Sequence, residues 1–431
     1  MPISMAAFTA CFALTARDIV LAKEARFTKY LSEAVNGKLF ARPKVKPLWL
    51  PRMQWEPPIP GKTQTSYDDV EYELNAMRNK NLDKFILLVG GDGLSIHRMW
   101  WLLHNKPYLY VDSAPLIIPI QGESPHGVFH VMHAGWRMYI RFIRWCAEAL
   151  NRPEKAIKDD PLVSDFNSHF FFLQILTRAC AEFMTELLRD GPGIDRPDAA
   201  MQEADRSPAL AWVFHFLYDF AFMVHEFKQG VRASDAPTLD RLWREFFSLG
   251  HCGTANKNLY VPMAIMRVWA SKATAPPIRR LMDRTRSIPL SDREGAMTGW
   301  DMPCEHLNSY ITASVTDHVS PESIETAVHR YAIFSHNHAL IAPTSSEHMM
   351  KEFEDDVEEL KKQLRRAVGT SWRAACAKQG RPPWAQAQNQ RGMAPWLEVQ
   401  QTMSKGGRDA VGAFIARKVR DLTSSYYTFN L

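Results

Sequence analysis

Apolar residues recur at two different periods along this chain, and the change from one to the other marks out its elements. Phe85 to Val89 is an unbroken apolar run ending in Gly90-Gly91, the pattern of a strand covered on both faces. Leu116 to Ile120 repeats it and closes in Gln121-Gly122-Glu123. Between them Ile96, Met99, Trp100 and Leu103 keep helical spacing, with Ser95 placed to cap. A strand–helix–strand crossover is almost always right-handed and makes its strands parallel. Their carboxyl ends then leave from one edge, which sets Asp92 and Glu123 at one crevice.

Elsewhere the period is helical. Residues Met1 to Lys46 form a helical lead-in, and Arg42 to Pro60, with Pro43, Pro47, Pro51, Pro57, Pro58 and Pro60, reads as an extended connector. Helices are expected over Ser66 to Asn79, Trp136 to Leu150, Phe166 to Leu188, Ala209 to Phe227, Thr238 to Leu249 and Ser320 to Ile333. Glu347 to Val368 carries Met350, Phe353, Val357, Leu360, Leu364 and Val368 at three- and four-residue intervals, an amphipathic helix suited to self-association. Asp409 to Leu422 would make a last short helix.

The composition is 46% hydrophobic and 23% charged over 431 residues, which excludes a disordered tail and leaves room for two or three domains. No apolar run reaches the length of a membrane span. Met5 to Leu14 is short and has no basic residue before it, so a secretory signal is not expected. Cys11, Cys146, Cys180, Cys252, Cys304 and Cys376 show no paired spacing, which fits a reducing, intracellular setting. The net charge of +5 is unevenly spread: Lys361 to Leu431 holds 13 Lys and Arg against 3 Asp and Glu. A second basic run includes Arg267, Lys272, Arg279, Arg280, Arg284, Arg286 and Arg293. Either could follow a phosphate backbone, and either could be a solvated face.

The candidate chemistry is acidic. Two carboxylates at one crevice repel unless a cation lies between them or one takes a proton, so Asp92 and Glu123 suggest a divalent metal. The plain alternative is a turn cap and a solvated side chain. In TGWDMPCEHLN, Asp301 can cap, Pro303 suits a first turn, and Glu305 shares a face with Asn308, able to complete such a site. His126, His130 and His133 would share a helical face beside Arg137; His130 is read as supporting the crevice or touching phosphate. His215, Asp219 and His225 lie in so apolar a stretch that buried hydrogen bonding suits them better than metal.

The motifs GDGLS (Gly91 to Ser95), GVFH (Gly127 to His130), GTANKNLY (Gly253 to Tyr260) and DMPCEHLN (Asp301 to Asn308) together resemble a eukaryotic family of transposon-derived domains of unknown function. That family is similar to ribonuclease H-like, DDE-type transposases. The resemblance implies an α/β fold: a ribonuclease H-like core sheet over 47–165 and 251–340, a large helical insertion at 166–250, and a helical extension with a basic tail at 341–431. It implies Asp92, Glu123 and Glu305 as catalytic ligands of Mg2+ or Mn2+, cleaving or joining DNA. Nucleic-acid contacts would come from His130, Arg137, Arg279, Arg280, Arg284 and Arg286, and the location would be nuclear. The pattern departs from the family in one respect: Asp92 and Glu123 are too close in sequence to be the usual first two acids. The alternatives are a non-catalytic nucleic-acid or protein interaction scaffold and a metal-dependent hydrolase of small phosphate esters.

Overall fold

The computed structural model of the chain describes residues 16–47, 66–80, 86–91, 116–121, 125–151, 166–189, 208–250, 276–289, 293–299 and 347–368, with short pieces between 98 and 106 and between 320 and 330. In chain order the elements are α1 (Ala16–Val35), a 3-10 turn (Lys38–Phe40), α2 (Tyr67–Lys80), β1 (Ile86–Gly91), β2 (Leu116–Gln121), α3 (Pro125–Ala149) and α4 (Phe166–Arg189). After these come α5 (Pro208–His215), a π-helical turn (Phe216–Ala221), α6 (Phe222–Ala233), α7 (Ala236–Gly250), α8 (Pro276–Thr285), β3 (Ser287–Pro289), β4 (Met297–Gly299) and α9 (Glu347–Val368).

The main core lies between helices. Trp136, Tyr139, Phe142 and Ile143 of α3 meet Leu173, Leu176 and Cys180 of α4 and the aromatic run Phe214, Phe216, Phe220 and Phe222, all buried. Each such side chain contributes roughly 1.5–3 kcal/mol by leaving water. Tyr139 stacks on Phe220 at 5.8 Å and donates a 2.9 Å hydrogen bond from its hydroxyl to the His215 carbonyl. Gly135 permits that approach, because a Cβ there would fall 1.9 Å from the Phe220 ring. Within Phe216–Ala221 the helix widens by one residue, so that the Phe222 N–H reaches the Leu217 carbonyl, and all six residues of the turn are buried.

α1 docks through charge as well as packing. Lys23, Arg26, Phe27, Tyr30, Leu31 and Ala34 form its buried face at three- and four-residue spacing. The Lys23 ammonium meets Asp219, which also accepts from His215 Nδ1 at 3.0 Å. Arg26 bridges Glu245 and Glu226 (2.6 Å to the latter), and Arg241 closes the ring at 2.6 Å to Glu226 and 2.7 Å to Glu245. Burial works against these charges, yet the partners win: Asp219 and Glu226 are held below the usual carboxylate range and Arg26 is raised.

A smaller cluster of Val70, Leu74, Met99 and Leu102 covers Val89 on β1. β1 and β2 pair in parallel, from Ile86 opposite Leu116 to Gly91 opposite Gln121, as the crossover rule required. The ribonuclease H-like core sheet is nevertheless contradicted. Among the described residues the sheets are this pair and the antiparallel pair β3–β4, and the fold is dominated by helix. The physical reason lies in Phe166–Arg189 and Pro208–Gly250. Both contribute to the central core, the second buried at nearly every position from Leu210 to Phe227, with α1, α3 and α9 packed on them, instead of decorating a sheet.

The face of α9 expected to self-associate is occupied within the chain. Phe353, Val357, Leu360 and Leu364 are buried in the main core. On the rims of the interface between α4 and α9, Arg178 pairs with Glu354 at 2.6 Å, Lys361 with Glu182 at 2.7 Å, and Arg365 with Glu186 at 2.6 Å.

Candidate nucleic-acid interface

Buried acidic side chains are engaged by internal partners, and two basic elements, α8 and the segment after the 3-10 turn, carry exposed cations. α8 starts at Pro276-Pro277, where a missing N–H costs least. Arg280 and Arg284 are exposed four residues apart on one face, and Arg279 is half-buried. A like-charged pair at that spacing slightly destabilises a helix, so helix stability does not account for it. Arg286, also expected to touch nucleic acid, is buried at 5% exposure; its guanidinium binds Asp240 of α7 and lies 3.4 Å from Asp283. It fixes the end of α8 to the core and is not presented outward.

Directly after Arg286 the β3–β4 pair runs from Ser287 opposite Gly299 to Pro289 opposite Met297. Its connection holds a second basic segment in place. Gly295, at φ +65°, donates its N–H to the Val45 carbonyl at 2.8 Å, and a Cβ there would press to 2.7 Å from the Pro43 carbonyl. At the other end Gln229 of α6 donates to the carbonyls of Leu39 and Ala41 at 2.9 and 2.7 Å. Pro43 and Pro47 restrict themselves and the residues before them to extended backbone. Along this pinned segment Arg42, Lys44 and Lys46 are all exposed at every second position. Extended backbone spaces alternate residues about 6–7 Å apart, a repeat suited to a polyanion. Glu294 is exposed nearby and Arg293 half-buried.

The sequence missed Arg42, Lys44 and Lys46 because prolines marked the segment as a connector. The alternation of cations between prolines was the signal available. Among the other expected contacts, His130 and Arg137 both lie on α3, seven residues apart and hence near one helical face; their side chains are outside the described residues. Asp92, Glu123 and Glu305 also lie outside them, although β1 and β2 end together at Gly91 and Gln121. The expectation of Mg2+ or Mn2+ rested on those three. Among the described residues no three His, Cys, Asp or Glu side chains gather as metal ligands. His215, Asp219 and His225 are buried and hydrogen-bonded, as their apolar setting suggested. Among the described residues no helix is long and apolar enough to cross a membrane. No protein-family model, curated protein or solved structure matches this chain.

Proposed function

We propose that this chain is a DNA-binding scaffold that grips the phosphate backbone through α8 and the segment 38–47, two basic elements joined by the β3–β4 pair. The observation that carries this reading is the exposure of cations on two adjoining elements: Arg42, Lys44 and Lys46 along the pinned segment and Arg280 and Arg284 on α8 stand exposed, while Asp240, the acid nearest in the fold to Arg286, is taken up by that buried guanidinium. Contacts of this kind position a duplex without reading its bases. The scaffold therefore binds many sequences with similar affinity and loses affinity steeply as salt rises. Cleavage or strand transfer through Asp92, Glu123 and Glu305 forms no part of this proposal.

The test compares wild type with Arg280→Ala/Arg284→Ala on fluorescent duplexes of unrelated sequence. The double variant should bind all of them more weakly by a similar factor, with the salt slope reduced by about two. Equal binding by both proteins would remove α8 from the interface.

A further inference from the structure

The segment that carries Arg42, Lys44 and Lys46 also presents an open backbone edge. Ala41 is extended, at φ −68° and ψ 154°, and Pro43 and Pro47 keep Arg42 and Lys46 extended as well. Three carbonyls at every second position face the body of the chain. Gln229 Nε2 donates to that of Ala41 at 2.7 Å, the Gly295 N–H donates to that of Val45 at 2.8 Å, and a Cβ on Gly295 would lie 2.7 Å from that of Pro43 between them. Successive carbonyls of extended backbone point to opposite edges, so those of Arg42, Lys44 and Lys46 point outward together with their N–H groups. Both prolines fall on the inner edge, and the outer edge loses no donor to them. Among the described residues these outer groups have no hydrogen-bond partner.

An edge of this kind accepts another extended strand. The same alternation sets the side chains of Arg42, Lys44 and Lys46 on one face of the segment, and all three are exposed. A strand added to the outer edge brings its own alternate side chains beside them, where opposite charges stabilise the pairing and like charges weaken it. A second copy of the segment would set cation against cation. An acidic strand is complementary.

We infer that the outer edge of residues 42–46 is a docking site for an extended acidic peptide of a partner protein, with Asp or Glu at every second position beside Arg42, Lys44 and Lys46. Main-chain hydrogen bonds to Lys44 and Lys46 hold the strand, and the alternate carboxylates fix its register. The peptide takes the cations assigned above to DNA, so it competes with a duplex for this segment. Only that competition rests on the DNA-binding reading.

Calorimetric titration of the full chain with a short peptide alternating Glu and Thr tests the site. A control peptide of the same composition carries its Glu and Thr in separate blocks, and two more are N-methylated, one on the Glu amides and one on the Thr amides. The alternating peptide should bind about tenfold more tightly than the block peptide; methylating the set of amides turned to Lys44 and Lys46 should abolish that preference, and methylating the other set should preserve it. Lys44→Gln removes one charge, whereas Lys44→Pro removes the same charge and the outward N–H, at an exposed extended position that tolerates proline. Lys44→Pro should bind the alternating peptide about fivefold more weakly than Lys44→Gln, with both variants folded by circular dichroism. Absence of binding, equal affinity for the alternating, block and N-methylated peptides, or equal affinity of the two Lys44 variants would overturn the proposal. A last arm adds the alternating peptide to the chain bound to a fluorescent duplex. Displacement is expected; peptide binding without displacement would remove residues 38–47 from the DNA interface and leave the strand site standing, whereas DNA binding without peptide binding would sink the strand site alone.

Discussion

Lys23 and Asp219 are both almost wholly buried, and their contribution depends on both being present. Removing one partner strands a charge in the core, whereas replacing both with apolar groups of similar shape is often neutral. Asp219→Ala should therefore cost about 3–5 kcal/mol in urea unfolding, and Lys23→Met/Asp219→Leu should recover most of it. A double variant no better than the single would show that the pair itself supplies the stability. His225 gives a pH signature. Its folded value of about 3 lies below its ordinary 6.5, so between those limits the unfolded chain binds a proton that the native chain refuses. Stability falls as pH drops through that window, by up to about 1.4 kcal/mol per unit. Asp219 and Glu226, whose values are lowered, lose their contribution only below the ordinary carboxylate range, near pH 4. His225→Leu should consequently flatten the profile between pH 6 and 4.5 and leave the steeper loss below it.

At the scale of elements, reading the sequence succeeded where one period governed a segment. α9 runs from Glu347 to Val368 as its apolar spacing indicated, and β1 and β2 pair in parallel as two apolar runs around a helix must. It failed where an element takes its meaning from partners far along the chain. Lys23 and Arg26 break the apolar stripe of α1, so nothing local announces that this helix belongs to the core; their carboxylates are on α6, α7 and the π turn. Arg286 looked like its exposed neighbours because Asp240, which buries it, lies on another helix. α3 begins at Pro125 instead of Trp136, taking in the glycine- and histidine-bearing stretch before the strongly apolar pattern starts. Gly135 shows why a glycine persists inside that helix. Gly135→Ala should destabilise by about 1–3 kcal/mol through overpacking on Phe220, and Phe220→Leu in the same chain should return part of it. An undiminished effect in the double variant would place the clash elsewhere.

At the scale of the molecule, the described residues combine ion pairs buried among the helices with exposed cations on α8 and the segment 38–47. Ion pairs fix α1 to α7 and α4 to α9; the β3–β4 pair carries α8 on one side and receives Val45 on the other. The acidic residues that pointed to metal chemistry lie outside the described residues. The basic surface was only half legible, because Arg280 and Arg284 follow from a charge run but Arg42, Lys44 and Lys46 acquire their placement from Gly295 and Gln229. Exposed substitutions in such places leave folding nearly unchanged, so the surface can be altered apart from the core. The decisive measurement is the dependence of duplex-DNA affinity on salt concentration for wild type and for a chain with Arg42, Lys44, Lys46, Arg280 and Arg284 all changed to alanine. The predicted result is a steep wild-type decline and a slope shallower by about four to five in the variant, one for each phosphate no longer neutralised. Parallel lines for the two proteins would contradict the account.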